Sequence, residues 1–313
     1  MKGIQIVPYN TKIDFVGKRW VGYIVAICIV LGTAVSLMTK GLNLGIDFRG
    51  GILLEVRLPE APDLAKLRTQ MNDLGLGDVK LQSIGNDPRD ILMRLERQKG
   101  AEDAQGHAVA KIKESLGSKV DYRRVETVGP KVSDDLIHSG LMATVMALGL
   151  MLVYIWFRFE WQFGVCGVIA LVHDAIAVIG FYAISGLEFS EGALAAILTT
   201  VGYSINDTVV IYDRLRENLR KYKKTSVAEI MNLSMNETLS RTVLTSSTTI
   251  LALFALYWLG GPVIEAFSLP ILVGILVGTL SSIFLSVTLL LNFDIRAHLQ
   301  KKEEEAAQAD AQA

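Results

Sequence analysis

Four ionisable side chains stand in or beside long apolar stretches of the sequence: His173, Asp174, Asp207 and Arg241. A charge at the centre of a membrane-spanning helix costs about 2.5 to 3.5 kcal/mol on insertion scales, so each of these residues needs a compensating role. Burial favours the protonated form of an aspartate, whereas a nearby cation favours the ionised form. An aspartate that is balanced between these two effects can exchange protons, and we therefore consider the four residues a candidate proton relay.

Asp207 carries the clearest signal of function. It lies in the segment GYSINDT at 202–208, where helical spacing predicts Tyr203, Asn206 and Asp207 on one side of a helix. Such a polar stripe must face protein or water. Asp207 stands about five residues inside the apolar run, too deep for its short side chain to reach the membrane surface. A functional role is favoured over a chance polar residue.

The other candidates each allow two interpretations. Arg241 opens an apolar run and is followed by many hydroxyl residues over 242–249, so its side chain either extends to the membrane surface or pairs with Asp207. His173 and Asp174 form either a second element of the relay or a buried hydrogen-bonded pair that fixes helix packing. The motif formed by Gly274 and Gly278 indicates close helix packing more often than function.

The elements that must hold these residues are membrane helices. The 313 residues are 51% hydrophobic, with a mean hydropathy of +0.38. Six apolar runs have about the length that spans a bilayer; they cover 21–38, 141–157, 163–185, 192–212, 242–259 and 266–293. The net charge of −1 excludes nucleic-acid binding by bulk charge. Both cysteines, Cys28 and Cys166, lie inside apolar runs, so no disulfide framework is predicted.

The distribution of basic residues predicts the orientation of the chain. Lys12, Lys18 and Arg19 precede the first run, and a dense basic segment lies at 214–224, whereas the short connections on the other side carry no Lys or Arg. We therefore expect both termini in the cytoplasm. The predicted domains are 1–42, with the first span; 43–135, outside the membrane; 136–295, with five spans and a cytoplasmic loop at 213–241; and a cytoplasmic tail at 296–313.

The insert at 43–135 has the pattern of a small α+β domain. Strands are predicted at 52–58, 79–84, 90–95 and 120–128, and helices at 65–74 and 104–116. This βαββαβ order is typical of a ferredoxin-like fold, in which two helices cover one face of an antiparallel sheet. The other face would be open, either to receive an extended peptide or as part of a spacer domain. A capping-box pattern at 226–229 begins either an interfacial helix or a linker helix into the fifth span.

Several short motifs together resemble one known family. The segment GIDFRGG supplies Gly45, Asp47, Gly50 and Gly51 as in that family's Gly-Gly motif. The segment VGYSINDTVVIYDRLREN at 201–218 matches the fourth-span signature and includes Gly202, Asp213 and Arg214. Segments 240–246 and 260–262 also fit in order. With these motifs the chain is similar to the SecD/SecF protein-export family of the resistance-nodulation-division superfamily, and within it to the SecF branch.

This resemblance implies an accessory subunit of the bacterial Sec translocase in the inner membrane. It implies a heterodimer with SecD, contact with the Sec translocon channel and its other accessory subunits, and use of the proton motive force to move a preprotein into the periplasm. Asp207 and Arg241 match the family's essential intramembrane carboxylate and arginine. The resemblance implies no cofactor, metal or catalytic residue.

Three rival functions fit the residues less well. An intramembrane aspartyl protease would pair Asp174 with Asp207, but their predicted depths differ by about 9 Å, which a catalytic dyad does not bridge. A small-molecule exporter of the same superfamily is less favoured because the single insert is modest in size. A purely structural scaffold would leave Asp207 unexplained.

Overall fold

The computed structural model describes residues 11–77, 79–84, 87–98 and 104–296. Within these ranges six helices are long and apolar enough to cross a membrane, which confirms the predicted number of spans. In chain order the main elements are α1 (Arg19–Thr39), α2 (Ile46–Arg49), β1 (Gly51–Arg57), α3 (Leu64–Asn72), β2 (Val79–Ser83), β3 (Asp90–Leu95), α4 (Ala104–Leu116), β4 (Asp121–Val128), α5 (Pro130–Arg158), α6 (Trp161–Ser185), α7 (Glu191–Lys221), α8 (Val227–Leu259) and α9 (Gly261–Ser281). A π-helix (Ser282–Ser286), α10 (Val287–Leu289) and a 3-10 turn (Leu290–Asn292) continue α9.

The insert has the predicted ferredoxin-like fold. Its four strands form an antiparallel sheet in the order β2-β3-β1-β4, and α3 and α4 pack on one face. Alternation along β1 sends Ile52, Leu54 and Val56 into a core with Met71 and Ile112. This core is separate from that of the membrane helices, so the insert has its own apolar centre.

The other face of the sheet does not stand free. It lies over the ends of α6 and α7 and, with them, lines a cavity of about 1020 Å³. Leu53 and Glu55 of β1 and Arg94 of β3 line the cavity from the sheet, whereas Tyr182 and Ala193 line it from the helices. An open face was expected because the sequence pattern of the strands contains no information about what the domain rests on.

The helices α7 and α8 extend well beyond the apolar runs. The predicted loop at 213–241 is helical over most of its length, because α7 continues to Lys221 and α8 begins at Val227. The predicted capping box is present: the Ser226 hydroxyl accepts from the Glu229 amide, and the Glu229 carboxylate accepts from the Ser226 amide. The helix that it begins runs unbroken into the fifth span, so the interfacial-helix interpretation is wrong and the linker interpretation is right.

Small residues allow the inner helices to approach one another closely. A Cβ at Gly274 would lie 2.3 Å from the Thr200 hydroxyl oxygen, and one at Gly180 would lie 2.0 Å from that of Thr33. The first contact brings α9 against α7 and the second brings α6 against α1, and α6 also packs on α7 and α9. By contrast, α5 and α8 are largely exposed over their apolar segments. Polar side chains buried between α6, α7 and α9 are consequently surrounded by protein rather than lipid.

Candidate functional site

Asp207 lies at the junction of α7, α8 and α9. Its side chain is only 2% exposed, and its Oδ2 atom has no hydrogen-bond partner among the described residues. Ser246 of α8 contacts the carboxylate, and the charge of Arg241 acts on it. The Ser246 hydroxyl also forms a 2.8 Å hydrogen bond with Thr279 of α9. A buried carboxylate oxygen that accepts no hydrogen bond lowers the stability of the fold, so the carboxyl group of Asp207 is only partly satisfied at this position.

Arg241 and Asn206 do not face inward with Asp207. Both side chains are exposed, and no direct ion pair joins Arg241 to Asp207 in the part of the chain that the structure describes. Tyr203 is partly buried and accepts a 3.4 Å hydrogen bond from Thr249. The predicted common stripe of Tyr203, Asn206 and Asp207 is therefore split. Consecutive helical residues differ by about 100° around the axis, so burying Asp207 turns Asn206 outward.

Asp174 occupies a second and quite different polar centre. It is fully buried, and its Oδ2 atom accepts hydrogen bonds from the hydroxyls of Ser204 at 2.5 Å and Ser281 at 2.8 Å. Its Oδ1 atom lies 3.1 Å from Nδ1 of His173. Nε2 of His173 is buried and has no partner among the described residues. The predicted contact between His173 and Asp174 is thus present, within a shell of hydroxyl groups.

This shell continues through the π-helix. Ser282 lies 3.4 Å from Ser204 and accepts a 3.0 Å hydrogen bond from Thr208, and its own hydroxyl donates to the Ser204 carbonyl at 3.2 Å. A π-helix inserts an extra residue into a helical turn and is frequent at functional sites. Ser281 and Ser282 were not among the predicted site residues; their signal was a serine pair in an otherwise apolar run.

The two carboxylates do not form a dyad. Asp174 bonds to α6, α7 and α9 side chains, whereas Asp207 faces α8 through Ser246. No hydrogen bond joins the two carboxylates in the described ranges. An aspartyl protease needs two carboxylates that share one site and one proton, so this arrangement speaks against that rival function.

The Gly-Gly motif joins the insert to the membrane helices. Asp47 accepts a 2.9 Å hydrogen bond from the Glu191 amide at the start of α7. Gly50 and Gly51 have positive φ angles of 71° and 136°, and a Cβ at Gly51 would lie 2.4 Å from the Leu95 carbonyl oxygen. Only glycine fits where α2 turns into the sheet. Gly45 donates its amide to the Phe189 carbonyl at 2.9 Å.

The signature residues at the other end of α7 have packing partners. Asp213 forms an ion pair with Arg158, which lies at the end of α5. Arg214 bonds to Glu217 and Glu237, each at 2.7 Å. These pairs are partly exposed and tie α7 to α5 and α8. A Cβ at Gly202 would meet no atom of the described residues within 4 Å, so sterics alone do not require glycine there.

Comparison with known proteins places this chain in one family. The family model "Protein export membrane protein SecD/SecF, C-terminal" matches residues 108–296, and the model "SecD/SecF GG Motif" matches residues 35–58. The protein translocase subunit SecF of Rickettsia felis is 45% identical over 302 residues, which cover 95% of this chain and 97% of that protein. The corresponding subunit of Rickettsia prowazekii is 44% identical over 95% of this chain and 96% of that protein.

Solved structures of SecDF share the fold. SecDF from Thermus thermophilus superposes with a TM-score of 0.79 at 36% identity and covers 91% of this chain. SecDF in a super-membrane-facing form superposes over 100% of this chain with a TM-score of 0.67 at 33% identity. This chain spans only 39% of the first SecDF chain and 42% of the second.

The hydroxyl shell of Asp174 should matter for stability. Replacing Ser204 or Ser281 by alanine removes one hydrogen bond to a buried carboxylate, and we expect each change to cost about 1 to 3 kcal/mol. Because both hydroxyls bond to one oxygen, the double variant should deviate from additivity. Thermal unfolding in detergent measures the loss. Ser185→Ala, which removes a hydroxyl bonded to a backbone carbonyl at an exposed helix end, is the control and should change stability by less than about 0.5 kcal/mol. Equal effects for all three single variants would contradict the assignment.

Proposed function

The chain belongs to the SecD/SecF family of protein-export membrane proteins as a SecF-type translocase subunit, and we propose that it uses the proton motive force to promote preprotein translocation. The observation that carries the proposal is Asp207, a buried carboxylate with one oxygen lacking a donor among the described residues. Such a group is held neither by a fixed ion pair nor by a complete set of hydrogen bonds. Protonation and deprotonation therefore change its interactions with the helices around it.

The proton would act by switching how α7 packs against α8. An ionised Asp207 attracts Arg241 toward the junction, whereas a neutral Asp207 leaves Arg241 at the exposed face where its side chain lies. Moving one elementary charge across the membrane yields about 2.3 kcal/mol per 100 mV. A free-energy change of this size biases two packing arrangements by more than tenfold.

Asp174 is better suited to a structural role in this scheme. Its carboxylate is fully buried and bonds to His173, Ser204 and Ser281. Hydrogen bonds from three helices to one buried carboxyl group hold those helices in a fixed arrangement. The sequence allowed Asp174 to be either a second element of the proton relay or a residue that fixes helix packing. These contacts favour the second role, the packing of α6 against α7 and α9. The proposed proton-binding residue is therefore Asp207 rather than Asp174.

The partner in this proposal is SecD, with the translocon channel, its other accessory subunits and the preprotein as further partners. The exposed face of α8 carries Arg241 and Thr248, and α7 exposes Asn206, all within apolar helices. Polar groups at membrane depth are favoured against protein or water rather than lipid, so this face fits a second subunit. Many transporters are built from two related halves around such an interface.

Replacing Asp207 by asparagine tests the proposal. The amide keeps the size and hydrogen bonding of the side chain but does not ionise, so the variant should insert and assemble while losing most of its proton-dependent stimulation of export. Arg241→Lys should be impaired as well, because an ammonium does not reproduce the planar guanidinium. Preprotein translocation into inverted membrane vesicles that contain SecD, with and without a proton gradient, measures this.

Vesicles without SecD are the control and should show no stimulation by either form of the chain. If Asp207→Asn responds to the gradient as fully as the unchanged protein, Asp207 is a packing residue and the proton-coupling proposal fails.

The orientation in the bacterial inner membrane is part of the same proposal. Asn232 of α8 accepts hydrogen bonds from the amides of Phe15 and Val16, so the segment before α1 lies at the same end as the basic connection between α7 and α8. The excess of Lys and Arg there favours the cytoplasm. The insert would then face the periplasm.

Cysteine labelling checks this orientation, with Cys28 and Cys166 first replaced by alanine. A cysteine at Ser118, in the insert, should react with a membrane-impermeant reagent added to spheroplasts. A cysteine at Lys224, between α7 and α8, should react only after the membrane is permeabilised. The reverse pattern would overturn the proposed topology.

A further inference from the structure

The loop between α6 and α7 is hydrogen-bonded to residues 43–45, the segment that leads into the insert, and we call this set of contacts the grip. Leu44 and Phe189 form a parallel bridge, in which the Phe189 amide donates to the Asn43 carbonyl at 2.8 Å and the Gly45 amide donates to the Phe189 carbonyl at 2.9 Å. The Asn43 side chain also donates to the Gly186 carbonyl at 3.0 Å. The helices on either side of this loop carry the two buried aspartates, so the grip connects the insert directly to the helices of the polar centres.

Glu188 lies at the centre of this grip. Its carboxylate forms an ion pair with Arg94 of β3, and the side chain is 26% exposed, next to the cavity of about 1020 Å³. The Ile46 amide donates to the same carboxylate. Gly45 makes room for it, since a Cβ at Gly45 would lie 2.7 Å from Oε1 of Glu188.

We infer that Glu188 is a proton-binding site on the extracytoplasmic side of the membrane, and that its protonation sets how tightly the insert holds the loop between α6 and α7. The inference rests on the proposed function for the source of the proton, which is the more acidic side of an energised membrane. The cavity gives that proton a route to the carboxyl group. The contact also explains why the family motif has glycine at position 45, because a larger residue there would collide with the titratable side chain of Glu188.

The charges around Glu188 determine the direction of the effect. Burial raises the pKa of Glu188 above its ordinary value and is the largest influence; Arg94 and Arg124 lower it, Asp47 raises it, and the Ile46 amide lowers it. A carboxyl group whose pKa is raised in the docked arrangement binds its proton more tightly there than when it is exposed to water. By linkage, protonation favours docking.

The pH window follows from the same shift. Docking is tightest below the ordinary pKa of a glutamate, and it weakens as the pH rises through the raised pKa of the docked form. A proton arriving from an acidic periplasm would therefore tighten the grip on α6 and α7. Loss of the proton would loosen it.

Hydrogen exchange of the loop amides tests the inference in the full chain assembled with SecD. Exchange at Gly45 and Phe189, corrected for the intrinsic effect of pH, should slow as the pH falls. Glu188→Gln should show the slow exchange at every pH, so that its pH dependence is lost. Arg94→Gln removes a charge that favours the ionised form, and its transition should move to higher pH.

Glu126→Gln is the matched control. Glu126 lines the same cavity and bonds to Arg124 at 2.7 Å, but no hydrogen bond or ion pair joins it to the loop between α6 and α7 in the described ranges, so the exchange of the loop amides in its variant should still depend on pH. A pH response that survives in Glu188→Gln, or is absent from the unchanged chain, would overturn the inference.

The outcome is separable from that of the proposed function. Asp207→Asn should keep the pH response of the loop, because Asp207 lies away from the insert at the junction with α8. If proton-driven export proves independent of Asp207 while the loop still responds through Glu188, the proton site stands and the proposed coupling fails. If export depends on Asp207 but Glu188→Gln leaves the pH response of the loop intact, the proposed coupling stands and the proton site at Glu188 fails.

Discussion

Polar side chains inside a bilayer are costly unless they face protein or water, and the arrangement of the inner helices of this chain follows from that constraint. Glycine contacts bring α6, α7 and α9 close enough for hydroxyl groups to surround Asp174. The π-helix after α9 places Ser282 within reach of Thr208 and Ser204. The Oδ2 atom of Asp207 lacks a partner within the described part of the chain, as do Nε2 of His173 and the hydroxyls of Thr200 and Thr242. Among these four buried groups only Asp207 is a carboxyl group, and we interpret it as the place where the protein keeps its capacity to change charge.

The insert is integrated with the membrane helices rather than attached by a simple linker. Its Gly-Gly motif bonds to the loop that joins α6 and α7, and Asp47 caps α7 directly. The face of the sheet opposite α3 and α4 lines a cavity at the ends of the same helices. Proton binding at Glu188 would therefore alter how the insert holds the ends of α6 and α7.

Local signals in the sequence predicted much of this structure. Apolar length revealed the spans, alternation revealed the strands, and the capping box at Ser226 was present as predicted because it depends on residues only three apart. Contacts between segments that are far apart in the sequence could not be predicted from such local signals. Ser281 reaches Asp174 across 107 positions of sequence, and Glu188 meets Arg94 across 94. The rotation of α7 that separates Asn206 from Asp207 depends on how three helices pack, which helical periodicity alone does not determine.

The central claim is that Asp207 changes its protonation state under conditions in which the protein works. Infrared difference spectroscopy of the chain assembled with SecD tests it directly, because a protonated carboxyl group has a C=O stretch that a carboxylate lacks. Lowering the pH should produce such a band for each carboxyl group that takes up a proton, and one of these bands should be missing from the spectrum of Asp207→Asn. Identical difference spectra from the two proteins would contradict the claim and would leave Asp207 as a packing residue.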